Sequence, residues 1–346
     1  MPMKTLRTVV VGLGRIGYRT HVPRTHEHPG FELAAVVDPL QERLDEVHSE
    51  YGTPGYTDLA ACLDTEKPDL VTIASPTLFH TDQAILAFER GCDVFTDKPM
   101  APSLAEADRM IEGMNRTGRK LMVYQPRRAD ADIVALETIL KRNLLGPIYM
   151  IKATRCNYAR RHDWQAFLKN GGGMLNNYGA HVIDQGLYLT GEKATHISCT
   201  LRTIAALGDA DDVVKAVFET ESGVIVDVDI NMATAHTMPP WHVLGKYGSA
   251  VLTSGIWNVK YYDPAKLEDV AIQDALAAPG RSYSSGEVIP WQETTVNVSD
   301  FEPVNYYDRC HEYFAQDKAP YVSIDQSREL MRVLEECRKD AARQSS

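Results

Sequence analysis

Residues 8–17 read TVVVGLGRIG, a β-branched run that breaks into two closely spaced glycines and a third three residues later. No other feature restricts the fold as tightly. A strand of near-continuous valine belongs inside a sheet covered on both faces. Glycines at 12, 14 and 17 suit a strand-to-helix turn in which backbone passes close to its neighbours. Asp38 closes the next strand-like run, FELAAVVD (31–38). Strand, GxGxxG, helix and a distal acidic residue in this order predict a dinucleotide site. In such a site Gly12 permits the tight turn, Gly14 lets the main chain meet a pyrophosphate, and Gly17 lets helix and strand pack. The helix opening at Arg15 and Ile16 then turns unpaired N–H groups toward the phosphates. Asp38 is suited to accept hydrogen bonds from the adenosine ribose and to repel a 2′-phosphate. Pro39 follows where an NADP site often carries a cation, so NAD is expected over NADP.

The alternation continues. LVTIAS (70–75), CDVFTD (92–97) and KLMVYQ (120–125) read as strands, with helical spacing from 16 onward and over 40–51, 81–89 and 104–115. The pattern predicts a doubly wound α/β (Rossmann) domain over 1–125. After Gln125-Pro126 the rhythm changes. A helix over 133–142, the run IYMIKATRC, a triple glycine and a helix over about 175–189 are followed by ISCTLRTIAAL, DVVKAVFET, GVIVDVDINMATA, HVLGKYGSAVLTS and WNVKYYD. Successive strands with few helices predict a second α/β domain, 126–346, with an open, mostly antiparallel sheet. The Gly-, Ser-, Ala- and Pro-rich stretch 274–296 reads as an irregular surface loop. A last helix over about 327–341, apolar at Leu330, Met331, Val333 and Leu334, is suited to packing back on the first domain.

Composition narrows the partners. With 36 basic and 47 acidic residues the net charge is −11, and no long basic block occurs, so nucleic acid and anionic membrane are poor partners. No apolar run approaches the roughly 18 residues of a membrane helix, and the first residues lack a signal-peptide cleavage pattern. Cys62, Cys92, Cys156, Cys199, Cys310 and Cys337 are scattered without a CxxC pair. That argues for reduced thiols in a cytoplasmic protein, with no metal site.

The candidate chemistry lies elsewhere. DKP (97–99) places Lys98 at the carboxyl end of a parallel strand, where open α/β sheets bind ligands. Ser75, Pro76 and His80 of SPTLFH (75–80) turn beside the same edge, with His80 read as a cap of that turn, and Gln125 ends the last strand of the first domain. GGGMLNNYGAHVIDQ (171–185) carries Asn177, His181 and Asp184 at i, i+4 and i+7, one face of a helix. Arg127 and Arg128 of QPRR (125–128) begin the crossing between domains. In NYARRHDWQ (157–165), Tyr158, Arg161, His162, Asp163 and Trp164 combine rings with polar groups, as sugar recognition requires. Tyr178 and Trp241 read as core or interface residues.

GLGRIG, SPTLFH, DKPMA and GGGMLNNYGAHVID follow one another in an order that resembles the glucose–fructose oxidoreductase, inositol dehydrogenase and rhizopine-catabolism (Gfo/Idh/MocA) family. The resemblance covers nearly the whole chain. It implies NAD or NADP redox chemistry on sugars, cyclitols and their derivatives. Carried over by position, Lys98 matches the lysine of the family's E-K-P motif, with Asp97 in place of glutamate, and His181 matches the histidine of its G-x-H segment. Lys98 is thereby a candidate for catalysis and for contact with both cofactor and substrate. Asn177 stands where members with dehydrogenase activity usually place an aspartate paired with that histidine. An asparagine can orient an imidazole without supplying charge, which makes His181 a weaker base and shifts proton transfer toward Lys98. The triple glycine is then expected to bring the chain close to nicotinamide and substrate. Arg127, Tyr158, Arg161, Trp164, Asn177 and His181 are the expected substrate contacts, and Gly12, Gly14, Arg15, Ile16, Gly17, Asp38, Ser75, Pro76, His80, Lys98 and Gln125 the expected cofactor contacts.

The leading expectation is an NAD-dependent oxidoreductase acting on a secondary alcohol of a sugar, cyclitol or glycoside. One rival is a hydrolase or lyase that oxidises a glycoside transiently and regenerates its NAD. Another is a non-catalytic NAD-binding sensor. Family members are often dimers or tetramers, and the face of an open C-terminal sheet is a natural subunit interface.

Overall fold

The computed structural model describes residues 4–270, 272 and 287–345. The first sheet is parallel throughout and has six strands in the order β3-β2-β1-β4-β5-β6. These are β1 (Leu6–Val11), β2 (Phe31–Val37), β3 (Gly55–Tyr56), β4 (Leu70–Ile73), β5 (Asp93–Asp97) and β6 (Leu121–Tyr124). Their connections hold α1 (Val22–Glu27), α2 (Gln41–Tyr51), α3 (Leu59–Glu66), α4 (His80–Glu89) and α5 (Leu104–Thr117). Between β1 and β4 the strand order reverses, so the loops leaving these two strands part and open a crevice at the carboxyl edge. β4 is buried at every residue, as a central parallel strand requires. Ser103 caps α5 by accepting the Glu106 N–H (3.2 Å), and Gly118, at φ +66°, ends it.

The second sheet has eight strands in the order β14-β13-β12-β11-β7-β10-β9-β8. They are β7 (Ile148–Cys156), β8 (Ala194–Arg202), β9 (Val213–Thr220), β10 (Ile225–Asn231), β11 (Trp241–Gly245), β12 (Gly248–Thr253), β13 (Ile256–Tyr261) and β14 (Gln292–Asn297). Only β7 and β10 pair in parallel. α6 (Ala131–Lys141) leads into this sheet, and α7 (Ala180–Thr190) packs on β7 and β10. Of the stretch 274–296, residues 274–286 lie outside the described residues. The remainder is not all loop, because β14 begins at Gln292 and pairs with β13 in register.

Two late helices tie the halves together. α8 (Tyr306–Gln316) lies on the first sheet, where Tyr306, Tyr307, Cys310 and Phe314 pack against Leu6, Phe31, Leu70, Phe95 and Met122. The Tyr306 hydroxyl donates to Val123 O (2.7 Å) and accepts the Gln125 N–H (3.1 Å). α9 (Ile324–Ser345) runs between β8 and α5, with an Arg328–Asp108 ion pair at 2.7 Å. The short α3 and the polar, aromatic α8 are elements that the hydrophobic pattern leaves unmarked. Among the described residues no helix is long and apolar enough to cross a membrane.

Candidate active site

The glycine loop leaves β1 beneath the loop that leaves β4. A Cβ on Gly12, at φ +87°, would lie 2.5 Å from Ser75 N, and one on Gly17 would lie 1.8 Å from Gly12 O. Both positions exclude any side chain. A Cβ on Gly14 would meet nothing within 4 Å, so the crest of the loop offers bare backbone to whatever lies above it. Beyond the crest, Arg15 is exposed and Ile16 half-buried, and a π-helical turn over Gly17–His21 runs into α1. Asp38 braces this loop from behind, accepting the Leu13 N–H (2.7 Å) and the Leu40 N–H (3.0 Å). Arg43, one turn into α2, reaches its carboxylate at 3.2 Å. Pro39, next in sequence, predicts no cation beside Asp38. The helical turn of α2 supplies one.

The loops after β4 and β5 are joined by His80. Its Nε2 lies 2.8 Å from Ser75 O and its Nδ1 3.1 Å from Pro99 O, and burial lowers its pKa. Ser75 Oγ donates to Gln83 Oε1 (2.6 Å), and Pro76 opens the following short 3₁₀ turn. At the end of β6, the side-chain oxygen and nitrogen of Gln125 are buried without a partner among the described residues, an orphaned amide. Bare backbone at Gly14, a braced Asp38 and an orphaned Gln125 fit a dinucleotide with a carboxamide head.

Lys98 follows β5, its N–H donating to Asp97 Oδ1 (2.7 Å), and the Lys98–Pro99 bond is cis. Its Nζ crosses to the second domain and donates to Asn177 O (2.8 Å) and Asn177 Oδ1 (3.3 Å). Burial, reinforced by Arg127, Arg15 and Arg161 and opposed by Asp97, brings the Lys98 pKa down to about 8. Both partners in 177 are neutral oxygens, so neither restores the ammonium.

Asn177 therefore does not orient His181. Its side-chain oxygen faces Lys98, its amide nitrogen lies 3.5 Å from Gln165 Oε1, and His181 Nδ1 is buried without a partner among the described residues. Burial, then Lys98, Arg127 and Arg155, hold the imidazole pKa well below its ordinary value. The helix opens with a π turn over Leu175–Gly179, closed by Ala180 N–H to Leu175 O. A wider turn carries an extra residue, and the stripe beside Lys98 runs through Asn177, His181 and Gln185 instead of Asp184. Gln185 Nε2 donates to Arg127 O (2.7 Å), and Gln185 Oε1 accepts from Arg155 (3.5 Å). Asp184 turns inward, in a buried two-pronged pair with Arg128 (2.6 and 2.7 Å).

The triple glycine also departs from expectation. A Cβ on Gly172 would lie 2.1 Å from Gln165 O, and one on Gly173, at φ +102°, would lie 2.2 Å from Asp211 Oδ1. The run approaches two neighbouring loops of its own domain, and Asp211 caps the helix by accepting the Leu175 N–H (2.8 Å). Arg161 bonds Gln165, which ties the NYARRHDWQ loop to Asn177. Arg161 and Gln165 border a cavity of about 100 Å³, lined also by Asn157, Met174 and Tyr178. Tyr158 and Trp164 are 58% and 49% exposed at the surface of this loop, and His162 and Asp163 are exposed beside them. Arg127 pairs with Asp130 at 2.9 Å, and Trp241 is fully buried, its Nε1 donating to Asp132 (3.1 Å). The sequence reading missed Gln165, Arg155 and Gln185. Gln165 acts across twelve residues of chain, and Arg155 is the penultimate residue of a mixed strand, IYMIKATRC, that also carries Lys152 and Thr154, so no local periodicity marks either.

Residues 6–125 match the model of the oxidoreductase family with an NAD-binding Rossmann fold, and residues 133–251 match that of the GFO/IDH/MocA C-terminal domain. Inositol 2-dehydrogenase of Streptomyces avermitilis is 32% identical over 231 residues, covering 65% of this chain and 65% of the relative. D-glucoside 3-dehydrogenase of Escherichia coli is 28% identical over 195 residues, covering 55% and 56%. Both matches span less than two thirds of the relative's length. Among solved structures, an NAD-binding protein from Listeria innocua shares the fold at a TM-score of 0.82 and 21% identity, over 99% of this chain and 96% of that one. The WlbA dehydrogenase from Bordetella pertussis, in complex with NADH and UDP-GlcNAcA, does so at 0.76 and 19%, over 98% and 97%.

Proposed function

Because the chain belongs to the Gfo/Idh/MocA oxidoreductase family, whose NAD-binding Rossmann domain it carries, we propose that it oxidises a secondary alcohol of a cyclitol, sugar or glycoside. The relatives named inositol 2-dehydrogenase and D-glucoside 3-dehydrogenase support that substrate class. NAD, when bound, supplies the hydride acceptor. Gly12, Gly14, Gly17 and Asp38 would hold it, with Arg15, Ser75, His80 and Gln125 around it. The observation that carries the proposal is Lys98, an amine with pKa about 8 at the carboxyl edge of the sheet. Two of its hydrogen-bond directions are filled by Asn177, which leaves the third for a substrate hydroxyl. A base whose pKa lies near the working pH is the efficient choice for taking that proton. His181 is a neutral hydrogen-bonding partner for the same oxygen, and Asn177 positions the amine.

The test is a panel of cyclitols, sugars and glycosides scored by NADH formation. Accumulating NADH supports a net dehydrogenase. Substrate consumption without NADH assigns the site to the cofactor-recycling hydrolases and lyases. Lys98→Ala should lower kcat by about 10²–10⁴-fold and leave NADH affinity within a few-fold. Near-normal turnover by this variant would remove Lys98 from the mechanism.

A further inference from the structure

We infer that the substrate carries a carboxylate on the same skeleton as the reacting hydroxyl, and that Arg155 receives it. The inference rests on the alcohol-oxidising reading of the site.

The stripe on the Asn177–Gln185 helix sets the geometry. Asn177 holds the Lys98 amine, His181 follows one turn later, and Gln185, a further turn on, holds the Arg155 guanidinium at 3.5 Å. Lys98 and Arg155 thus stand on either side of His181. Both cations act on His181, an arrangement suited to a ring that offers its hydroxyl to Lys98 and an exocyclic carboxylate to Arg155.

Charge points the same way. Among the described residues no carboxylate lies within 4.0 Å of Lys98 Nζ or of the Arg155 guanidinium. The acids that act on these two cations, Asp97 on Lys98 and Asp132 and Asp130 on Arg155, do so without a direct ion pair. Arg155 is oriented without being neutralised. It donates to Thr154 O (2.8 Å), Pro240 O (3.2 Å) and Gln185 Oε1 (3.5 Å), all uncharged, and its guanidinium carbon lies 5.1 Å from the Trp241 ring centre. Asp132, the acid with most influence on it, is engaged by the Trp241 Nε1–H (3.1 Å) and not by the guanidinium. Arg127 is different, since Asp130 already pairs with it. A partly buried cation without a direct ion pair is costly to a fold, and an anionic ligand relieves that cost. The chemistry favours a carboxylate over a phosphate. The bonds to three protein oxygens leave Arg155 its Nε–H and one Nη2–H, the two parallel donors a carboxylate takes side-on.

The experiment is calorimetric titration of the NADH-loaded protein with D-glucuronate and D-galacturonate, each against its uncharged uronamide and against the corresponding sugar 6-phosphate. At least one uronate should bind about tenfold or more tightly than its amide, a gap of about 1.4 kcal/mol. The gap should narrow with added NaCl and vanish in Arg155→Gln. The salt series needs no variant and decides the matter should Arg155→Gln fail to fold. Equal affinities, no binding of either acid, tighter binding of the phosphate, or a gap that survives in folded Arg155→Gln would each overturn the inference. NADH formation followed in parallel keeps the two readings apart. Charge-selective binding without oxidation upholds the carboxylate site and counts against alcohol oxidation. Oxidation of acid and amide with equal efficiency does the reverse.

Discussion

Lys98 Nζ donates to both oxygens of Asn177, the main-chain carbonyl at 2.8 Å and the side-chain carbonyl at 3.3 Å. One residue thus fixes the amine from two directions with neutral oxygens, and Asp97 opposes the loss of its charge without a direct ion pair. The site's proton chemistry turns on this contact, because burial and neighbouring arginines are then free to depress the amine.

The first prediction is a pH profile. In alcohol oxidation Lys98 must begin neutral, so kcat/KM should rise as pH increases through about 8. In carbonyl reduction it must begin protonated, so the rate should fall over the same range. His181, held neutral by burial, should contribute no limb between pH 6 and 7. Initial rates in both directions check this, and a single limb near the ordinary histidine pKa of about 6.5 would transfer the role to His181.

Asn177→Asp is the second. A carboxylate in place of the Asn177 oxygen would face the Lys98 amine and favour its charged form. The oxidative limb should move up by about one pH unit or more, lowering the rate at neutral pH while the plateau at high pH is approached later. NMR of the His181 ring provides the contrast. The structure aims residue 177 at Lys98, so the lysine should respond more than the imidazole.

The third concerns cofactor choice. Asp38 accepts two main-chain N–H groups and faces Arg43. Asp38→Ala should leave Arg43 unpaired beside the ribose position and remove the repulsion of a 2′-phosphate. The ratio of NADP to NAD affinity should rise by about tenfold or more, read by fluorescence titration. Loss of the two buried acceptors should also cost about 1–3 kcal/mol of stability. Wild-type protein that binds NADP as tightly as NAD would contradict the assigned preference.

The fourth compares two glycines. Gly14 has open space where its Cβ would stand, whereas at Gly173 a Cβ would lie 2.2 Å from Asp211 Oδ1 at φ +102°. Gly14→Ala should keep its thermal stability and lose NADH affinity, because the added methyl fills the crest of the loop. Gly173→Ala should lose more than about 1 kcal/mol by strain and by displacing the cap on Leu175. Thermal melts with and without NADH separate the two effects.

Much of the first sheet was legible because its signals are local. A valine run, glycines at fixed offsets and Asp38 at the end of a strand each report a backbone requirement met within a few residues. Helix caps such as Ser103–Glu106 are of the same kind. The Gfo/Idh/MocA resemblance added Lys98 and His181 as candidates. It also suggested an Asn177–His181 pair, which the structure replaces with Asn177–Lys98. Spacing alone placed Asp184 with His181, but an i→i+5 turn ahead of them rotates Gln185 into the stripe.

What the sequence by itself determined was the order of most elements of the first domain, the parallel sheet and the dinucleotide-binding edge, because each follows from backbone geometry and hydrophobic period over short stretches of chain. Only the tertiary structure decided which groups share the cleft. Lys98 meets Asn177 across 79 residues, Asp184 is drawn inward by Arg128 across 56, and Tyr306 seals the end of the first sheet across 183. Such contacts depend on how two sheets and their connecting helices pack, and on which charges that packing leaves unpaired. Periodicity along the chain carries no record of either.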